Sequence, residues 1–348
     1  MDALHIALAV ATGAGALLLG LLAWREGAGI RFARWRSLRA RLNEAHRHGL
    51  QPSPSSLHAL RAAMPKRPTL PAHAGADARA ATRGAARLLF VGDTSASLPM
   101  LLATAAPAGP LAAPAPLDDE PFWRWWALPR LMAIEVRPPP LEPEPPNDML
   151  WFSAMRTLAR TRPRRPLDGI VLCASVPLLR ADAIVADSVQ QLLARRVHEI
   201  AVTLCLHLPV HVVVTGLQDL PGYASVRAAL PAGMLAQAIG WRPAPGARAS
   251  SLQHAFAPIE EALQSLRLGL LARQWDARAC HDIHRFVEAV LALRPGLQRL
   301  HDTLRLDTSA GTSWQGLYLT ASDPQGAFVA DLFERFLPAS TPLARDAA

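Results

Sequence analysis

Residues 166–223 read PLDGIVLCASVPLLRADAIVADSVQQLLARRVHEIAVTLCLHLPVHVVVTGLQDLPGY, and this stretch decides the fold. Its segment 168–176 is a short apolar run with several β-branched residues, which is typical of a strand buried on both faces. Apolar residues then recur at helical spacing behind a predicted cap at Asp187 or Ser188. The first half of the stretch therefore predicts a strand followed by a helix of about five turns.

A second buried strand follows that helix. Pro209 prevents the helix from continuing, and Val210–Thr215 is almost entirely apolar. Two such strands joined by a helix predict parallel neighbours with a right-handed crossover. Further strands are predicted at Leu88–Gly92 and Leu131–Val136. The core is therefore expected to be an α/β domain with a mainly parallel sheet.

The N-terminus contains a candidate transmembrane helix. Leu4–Trp24 is a run of 21 residues with no charge and one histidine, long enough to cross a hydrocarbon core of roughly 30 Å. A secretory signal peptide is the rival interpretation, but Met1–Ala3 carries no basic residue and the run is too long. The arginines that follow place the rest of the chain in the cytoplasm by the positive-inside rule. We expect a single-pass membrane protein.

The charge distribution argues against a nucleic-acid partner. Half of the net charge of +8 lies in residues 1–47, which hold seven arginines and three acidic residues, beside the apolar run. A nucleic-acid footprint is normally a concentrated basic face on the folded domain. The three cysteines, at 173, 205 and 280, show no paired spacing, which indicates a reducing compartment.

The segment GDTSASLP, residues 92–99, stands where an α/β nucleotide-binding domain places its phosphate loop. A working loop reads GxxxxGK[ST], in which the lysine binds the β- and γ-phosphates and the hydroxyl binds Mg²⁺. Aligned from Gly92, this register gives Ser97 for the second glycine, Leu98 for the lysine and Pro99 for the hydroxyl residue. These four positions are predicted to be a vestigial phosphate loop.

A count of lysines strengthens that interpretation. The whole chain has one lysine, Lys66, and it falls in the predicted linker. Phosphoryl transfer depends almost entirely on positioning and electrostatic stabilisation, so losing this cation and the metal ligand removes most of the catalysis. The sequence therefore predicts no enzyme activity, no catalytic residue, no cofactor and no metal site.

Two side-chain clusters have a structural and a functional interpretation. The aromatic run Phe122–Trp126 fits base stacking or an aromatic cage, but large aromatics that enter a strand more often pack in a core. Cys280, His281 and His284 suggest a metal site, but only two of them share a helix face and Cys280 continues an apolar stripe. We expect packing in the first case and no zinc in the second.

The remaining segments complete the domain division. Apolar stripes between Leu252 and Leu304 predict helices that pack on each other, and Gly316–Thr320 and Gln325–Phe336 predict a strand and a helix at the sheet edge. The predicted parts are a transmembrane helix (1–24), a basic juxtamembrane segment and linker with a short helix at Leu57–Met64 (25–82), a degenerate P-loop-like α/β domain (83–245), a helical subdomain (246–312), and a C-terminal strand and helix that return to the sheet (313–348).

Three blocks of the sequence resemble a known family. They are WFSAMRTLARTRPRRPLDGIVLCASVPLL (151–179), LHLPVHVVVTGLQDLPGY (206–223) and SWQGLYLTASDPQGAFVADLFERFLP (313–338). Their order and spacing are similar to those in IcmF/TssM proteins, the inner-membrane components of bacterial type VI secretion systems. No general folding reason makes RPRRPLDG before one strand and VT…LPG after the next occur together. The resemblance covers roughly 85–340, and family members are typically longer, so a short form with the N-terminal membrane helix and cytoplasmic domain is expected.

The chain departs from the family pattern wherever nucleotide would bind. Members commonly carry GPPGSGKT at the loop, DTAG after the following strand, and TKxD after the strand that here ends at Thr215. This chain has GDTSASLP, EVRP from Glu135, and TGLQ. The resemblance therefore implies vestigial base-recognition positions at Gly216 and Gln218. Asp219 is shifted by one residue, and Glu135 is the candidate to imitate the switch acid.

What the resemblance implies is a cytoplasmic pseudo-NTPase domain that acts as a scaffold in a secretion membrane complex. Expected partners are the inner membrane, a DotU/TssL-like protein and the baseplate, with self-association left open. The helical subdomain and the tryptophan-rich segment are the hypothesised contact surfaces. The alternative is a membrane-tethered GTPase or ATPase with an atypical phosphate loop.

Overall fold

The structure is a computed structural model that describes residues 28–47, 57–58, 60–61, 85–106, 109–111, 122–137, 145–244, 251–306, 312–322, 326–339 and 344–346. No helix within these ranges combines the length and the apolar character needed to cross a membrane. The predicted span Leu4–Trp24 and Lys66 lie outside them.

A mainly parallel sheet forms the centre of the described chain. Its strands are β1 (Ala86–Gly92), β2 (Trp123–Ala127), β3 (Leu131–Val136), β4 (Gly169–Ser175), β5 (Leu206–Thr215), β6 (Ile239–Trp241) and β7 (Thr312–Leu319), in the order β2-β3-β1-β4-β5-β7-β6. The inner five are parallel, and β2 and β6 pair antiparallel at the edges. A short β8 (Arg345–Asp346) pairs with the start of β5. The predicted parallel pairing of β4 and β5 is confirmed.

Helices cover both faces of the sheet. They are α1 (28–47), α2 (Leu98–Ala105), α3 (Pro145–Thr161), α4 (Val176–Arg180), α5 (Ala183–Leu204), α6 (Tyr223–Ala229), α7 (Ala232–Ala236), α8 (Leu252–Leu271), α9 (Ala277–Leu291), α10 (Arg294–Leu306) and α11 (330–339), the last containing a π-helical turn at Leu332–Phe336. One apolar cluster joins α2 and α11 to one face of the sheet. A larger cluster joins α1, α3, α5 and the helices from α8 to α10 to the other face.

Two boundaries in the fold-deciding stretch differ from the sequence prediction. Helix α5 begins at Ala183, after Asp182, and not at the predicted cap at Asp187 or Ser188. The prediction missed the first turn because its first core residue is the small, fully buried Ala186. Alanine favours helix without marking an apolar stripe. Strand β5 also begins before Pro209, which the sheet accommodates next to a register shift between residues 210 and 211.

The C-terminal part differs in three places. The stripe predicted after Trp275 is broken into α9 and α10, because Pro295 lies in the first turn of a new helix. The helix predicted from Gln325 begins at residue 330, after a turn in which Gly326 has a φ of +49°. The predicted strand is present as β7, but it is not at the sheet edge, because β6 pairs with its outer side.

The three tryptophans of the tryptophan-rich segment pack in the core. Trp123, Trp125 and Trp126 lie in β2 and are all buried. The indole N–H of Trp123 donates to the Leu60 carbonyl at 3.2 Å, and that of Trp126 donates to Glu135 at 2.8 Å. The packing interpretation is confirmed, and the hypothesis that this segment contacts partner subunits stays a prediction, since β2 is an edge strand of the sheet.

The motif RPRRPLDG has a folding role that the sequence did not reveal. Asp168 is fully buried, and its carboxylate accepts a hydrogen bond from the backbone amide of Arg87 at 2.8 Å. Arg162 and Arg165, on the motif's own turn, form ion pairs with the same carboxylate. The motif therefore closes the turn before β4 against the start of β1.

Two glycines bring the C-terminal helices into backbone contact with the sheet domain. A Cβ atom on Gly222, whose φ is +81°, would lie 2.0 Å from the Asp282 carbonyl oxygen of α9. A Cβ atom on Gly296 of α10 would lie 2.1 Å from the Leu179 carbonyl oxygen of α4. Any other residue at either position would separate the two packed backbones.

Candidate functional site

The crevice at the carboxyl ends of β1 and β4 is the position in this topology where a ligand would bind. The chain leaves β1 toward α2 on one face and leaves β4 toward α4 and α5 on the other. In open α/β sheets, ligands bind where neighbouring connections diverge in this way. The predicted phosphate-loop residues of segment 92–99 lie at this crevice.

The backbone of the loop forms a strand, turn and helix in quick succession. Strand β1 ends at Gly92, a 3₁₀ turn covers Thr94–Ala96, and α2 begins at Leu98. Ser97 has a φ of +48° and a ψ of +47°, the left-handed conformation that glycine adopts most easily. The position aligned with the second glycine of the motif therefore has a glycine-like backbone without the glycine.

The other aligned positions have packing roles. The Leu98 side chain is 2% exposed and belongs to the apolar cluster beneath α2, so a core residue stands where a phosphate-binding lysine would be. Pro99 has no N–H to offer an anion. A Cβ atom on Gly92 would lie 2.9 Å from the Cys173 carbonyl oxygen, so this glycine allows close contact between β1 and β4.

Asp93, which the sequence prediction did not single out, closes the crevice. Its Oδ1 accepts a hydrogen bond from the Ser175 amide at 2.8 Å, and its Oδ2 accepts one from the Ser175 hydroxyl at 2.7 Å. Oδ2 also accepts from the Ser95 amide at 3.0 Å. Ser175 in turn caps α4 by accepting from the Leu178 amide at 3.1 Å. The carboxylate thus joins the end of β1 to the end of β4.

This arrangement disfavours a bound phosphate. The amides of Ser95 and Ser175, which could face an anion in the crevice, already donate to a carboxylate. Two like unit charges at 4 Å repel each other by about 4 kcal/mol at the effective dielectric typical near a protein surface. Nearby Cys173 responds to the same surroundings, since burial and then the negative charge of Asp93 raise the pKa of its thiol.

The aligned base-recognition positions join two loops of the chain. Gly216 follows β5 with a φ of +90°, and a short 3₁₀ turn begins at Leu217. The Gln218 side chain accepts a hydrogen bond from the Ser322 amide at 3.0 Å, and the Leu217 amide donates to the Thr320 carbonyl at 3.3 Å. Gln218 therefore connects the loop after β5 to the loop after β7.

Glu135, the candidate switch acid, has partners in its own sheet layer. It is 6% exposed, accepts from the Trp126 indole and lies 3.7 Å from the Arg124 guanidinium. Burial raises the pKa of its carboxyl, and the hydrogen bond from Trp126 and the charge of Arg124 oppose the rise. These contacts assign Glu135 to the packing of β2 against β3.

Among the described residues, the cysteine and histidines of α9 do not form a cluster with further ligands. His284 lies 3.4 Å from the guanidinium of Arg267, which also pairs with Glu288 at 2.8 Å. Cys280 is half-buried, and its thiol points at the Gln274 carbonyl. Across the described ranges, no three His, Cys, Asp or Glu side chains come together in a way that could hold a metal ion.

A buried histidine on β5 lies apart from the crevice. His211 is 1% exposed, and its ring lies 6.1 Å from that of Tyr318 on β7. In the described part of the chain, neither of the two ring nitrogens of His211 has a hydrogen-bond partner. The Tyr318 hydroxyl has none there either. Burial lowers the pKa of His211 to about 4 and raises that of Tyr318 to about 12.

The sequence held no signal for either of the two residues that the prediction missed. The motif GxxxxGK[ST] leaves the residue after its first glycine unrestricted, so the charge of Asp93 did not distinguish it. Ser175 is 82 residues away, and its contact with Asp93 is set by the parallel pairing of β1 and β4.

Comparison with known proteins gives a match to a family model. The family model described as the IcmF-related N-terminal domain matches residues 147–348, which is more than half of the chain. The match includes Gly216 and Gln218 and begins after the 92–99 loop. No curated protein and no solved structure matches the chain significantly.

Proposed function

Because the chain belongs to the IcmF-related family, we propose that it is a non-enzymatic structural component of a type VI secretion membrane complex. In this proposal the apolar run Leu4–Trp24 crosses the bacterial inner membrane once. The α/β domain and its helices lie on the cytoplasmic side as a pseudo-NTPase that retains the architecture without the nucleotide.

The observation that carries the non-enzymatic part is the carboxylate of Asp93 in the crevice between β1 and β4. It pairs with the amides of Ser95 and Ser175. Buried Leu98 and the single lysine of the chain support the same conclusion from the missing cation. The fold then serves to present surfaces to other subunits.

Nucleotide is expected to leave the stability of the protein unchanged. A ligand at 100 times its dissociation constant would stabilise the folded protein by about 2.7 kcal/mol, so thermal unfolding with GTP or ATP and Mg²⁺ is a sensitive measurement. The membrane-tethered GTPase or ATPase predicts a clear rise in Tm, and the pseudo-NTPase predicts none.

Substitution at the crevice sharpens this test. Asp93→Ala should lower the free energy of unfolding by about 2 kcal/mol through lost charge-assisted hydrogen bonds. It should gain no response to nucleotide, because buried Leu98 still occupies the position of the phosphate-binding lysine. Ser95→Ala is the matched control, because Asp93 accepts from the Ser95 amide and not from its hydroxyl. A nucleotide-dependent rise in Tm for the parent protein would contradict the proposal.

We place the partner contact on an apolar groove beside edge strand β6. The groove has a volume of about 710 Å³ and lies between α7, β6 and α8. Met234 and Leu266 are among its apolar lining residues, and Arg273 contributes a positive charge. An apolar segment with an acidic residue, from a DotU/TssL-like subunit, fits this combination.

Co-purification of a DotU/TssL-like protein with the full chain tests the scaffold proposal. Met234→Asp puts a charge into the groove and should reduce the recovered partner by about tenfold, as expected when a central apolar contact worth roughly 1.4 kcal/mol is lost. Met100→Asp is the matched control, because this methionine is 45% exposed, compared with 41% for Met234, and lies on α2. Equal losses in both variants would contradict the groove, and recovery of no secretion component with the parent would contradict the scaffold.

A further inference from the structure

Helix α1 has one face attached to the α/β domain. Arg34, Leu38 and Ala45 are buried, at 2%, 3% and 8% exposure. The Arg34 guanidinium donates to the carbonyl of Leu204, the last residue of α5, and to the carbonyl of Pro163. The last carbonyls of a helix have no partner inside it, so Arg34 satisfies the end of α5 and fixes α1 in place.

The opposite face of α1 exposes aromatic rings among arginines. Phe32 is 61% exposed and Trp35 is 50% exposed, and their rings stack with centroids 6.0 Å apart. The Arg39 guanidinium lies over the Trp35 ring, 5.1 Å from its centroid. Arg36 is also exposed. Helix α1 contains six arginines and one acidic residue, Glu44, which pairs with Arg41 at 3.3 Å.

The position of α1 in the sequence, directly after the apolar run, indicates which surface its exposed face contacts. Only residues 25–27 separate α1 from the uncharged run that ends at Trp24, so at most about 14 Å of chain lies between them. Tryptophan and other amphipathic rings prefer the level of the lipid headgroups. Each arginine or lysine near an anionic leaflet contributes about 1 kcal/mol of attraction.

We propose that α1 lies along the surface of an anionic phospholipid bilayer, with Phe32 and Trp35 inserted among the headgroups and Arg36 and Arg39 bound to lipid phosphates. Because the buried face of the same helix is fixed to α5, the bilayer sets the orientation of the whole α/β domain. This inference depends on the proposed membrane attachment through residues 1–24.

Quenching by brominated lipid tests the inference on the full chain in vesicles. The vesicles contain phosphatidylcholine with phosphatidylglycerol, and part of the lipid carries brominated acyl chains. The quenched fraction of tryptophan fluorescence is expected to fall in Trp35→Phe, because a membrane-inserted ring is removed. It is not expected to fall in Trp275→Phe, which removes a 96% exposed tryptophan between α8 and α9. Equal quenching of the parent and Trp35→Phe would overturn the inference.

Two further comparisons test the lipid chemistry and the attachment. In pure phosphatidylcholine, or in Arg36→Ser/Arg39→Ser, the difference between parent and Trp35→Phe should shrink, and an unchanged difference would overturn the role of anionic headgroups. Flotation and resistance to alkaline extraction measure insertion separately. Stable insertion without Trp35 quenching overturns only the orientation of α1, whereas failure to insert overturns the proposed attachment as well.

Discussion

Replacing Asp168 by alanine is expected to lower the free energy of unfolding by about 3 kcal/mol, the cost of removing one partner from a buried ion pair. The carboxylate is fully buried, whereas Arg162 and Arg165 are each about one-third exposed, at 32% and 40%. Its loss would leave the Arg87 amide without its acceptor and bring uncompensated guanidinium groups together. Burial and then the charge of Arg162 already lower the pKa of Arg87, and Asp168 opposes this.

Chemical denaturation of the full chain, compared with Asp187→Ala, measures the effect. Asp187 is 48% exposed and lies 3.7 Å from Arg299, so its replacement should cost less than about 1 kcal/mol. A loss for Asp168→Ala no larger than that of the control would show that the motif RPRRPLDG does not stabilise the fold in the way its contacts indicate.

Replacing His211 by leucine is expected to remove part of the acid sensitivity of the protein. The pKa of His211 is about 4 in the folded chain, below its ordinary value of 6.5, because burial disfavours the charged ring. Between pH 6.5 and 4, therefore, His211 binds a proton in the unfolded chain but stays neutral in the folded chain. Stability contributed by the neutral ring is full above pH 6.5 and is lost as the pH falls toward 4, by about 2 kcal/mol between pH 7 and 5.

Denaturation at a series of pH values separates this contribution from those of other groups. The difference in free energy of unfolding between the parent and His211→Leu should change by about 2 kcal/mol from pH 7 to 5. His281→Leu, at an exposed position of α9, is the matched control for the loss of a histidine. Parallel profiles for the parent and His211→Leu would contradict the buried neutral state.

Local sequence patterns were sufficient for the centre of the sheet. The apolar runs that became β1, β3, β4 and β5 are short and bounded by turn residues, and the parallel pairing of β4 with β5 follows from the helical connection between them. The edge strand β6 has three residues, too few for a periodicity to appear. Its position outside β7 could not be predicted for that reason.

Contacts between distant residues account for the rest. The bond from Asp93 to Ser175 and the bond from Asp168 to Arg87 span 82 and 81 residues. Arg34 is one of seven arginines in residues 1–47, and nothing in the neighbouring sequence distinguishes it from the arginines that are exposed in the structure. The vestigial phosphate loop stays a prediction, and it rests on a missing lysine, which a sequence shows directly. The hydrogen bonds of the Asp93 carboxylate depend on the fold.

The glycine contacts at Gly222 and Gly296 have a mechanical consequence for an assembled complex. Where two backbones touch without intervening side chains, no side chain can change its rotamer to absorb a displacement. A force on the C-terminal helices would therefore be transmitted to the sheet with little relative movement of the two parts. A subunit pulled from that side would be displaced as a single stiff block.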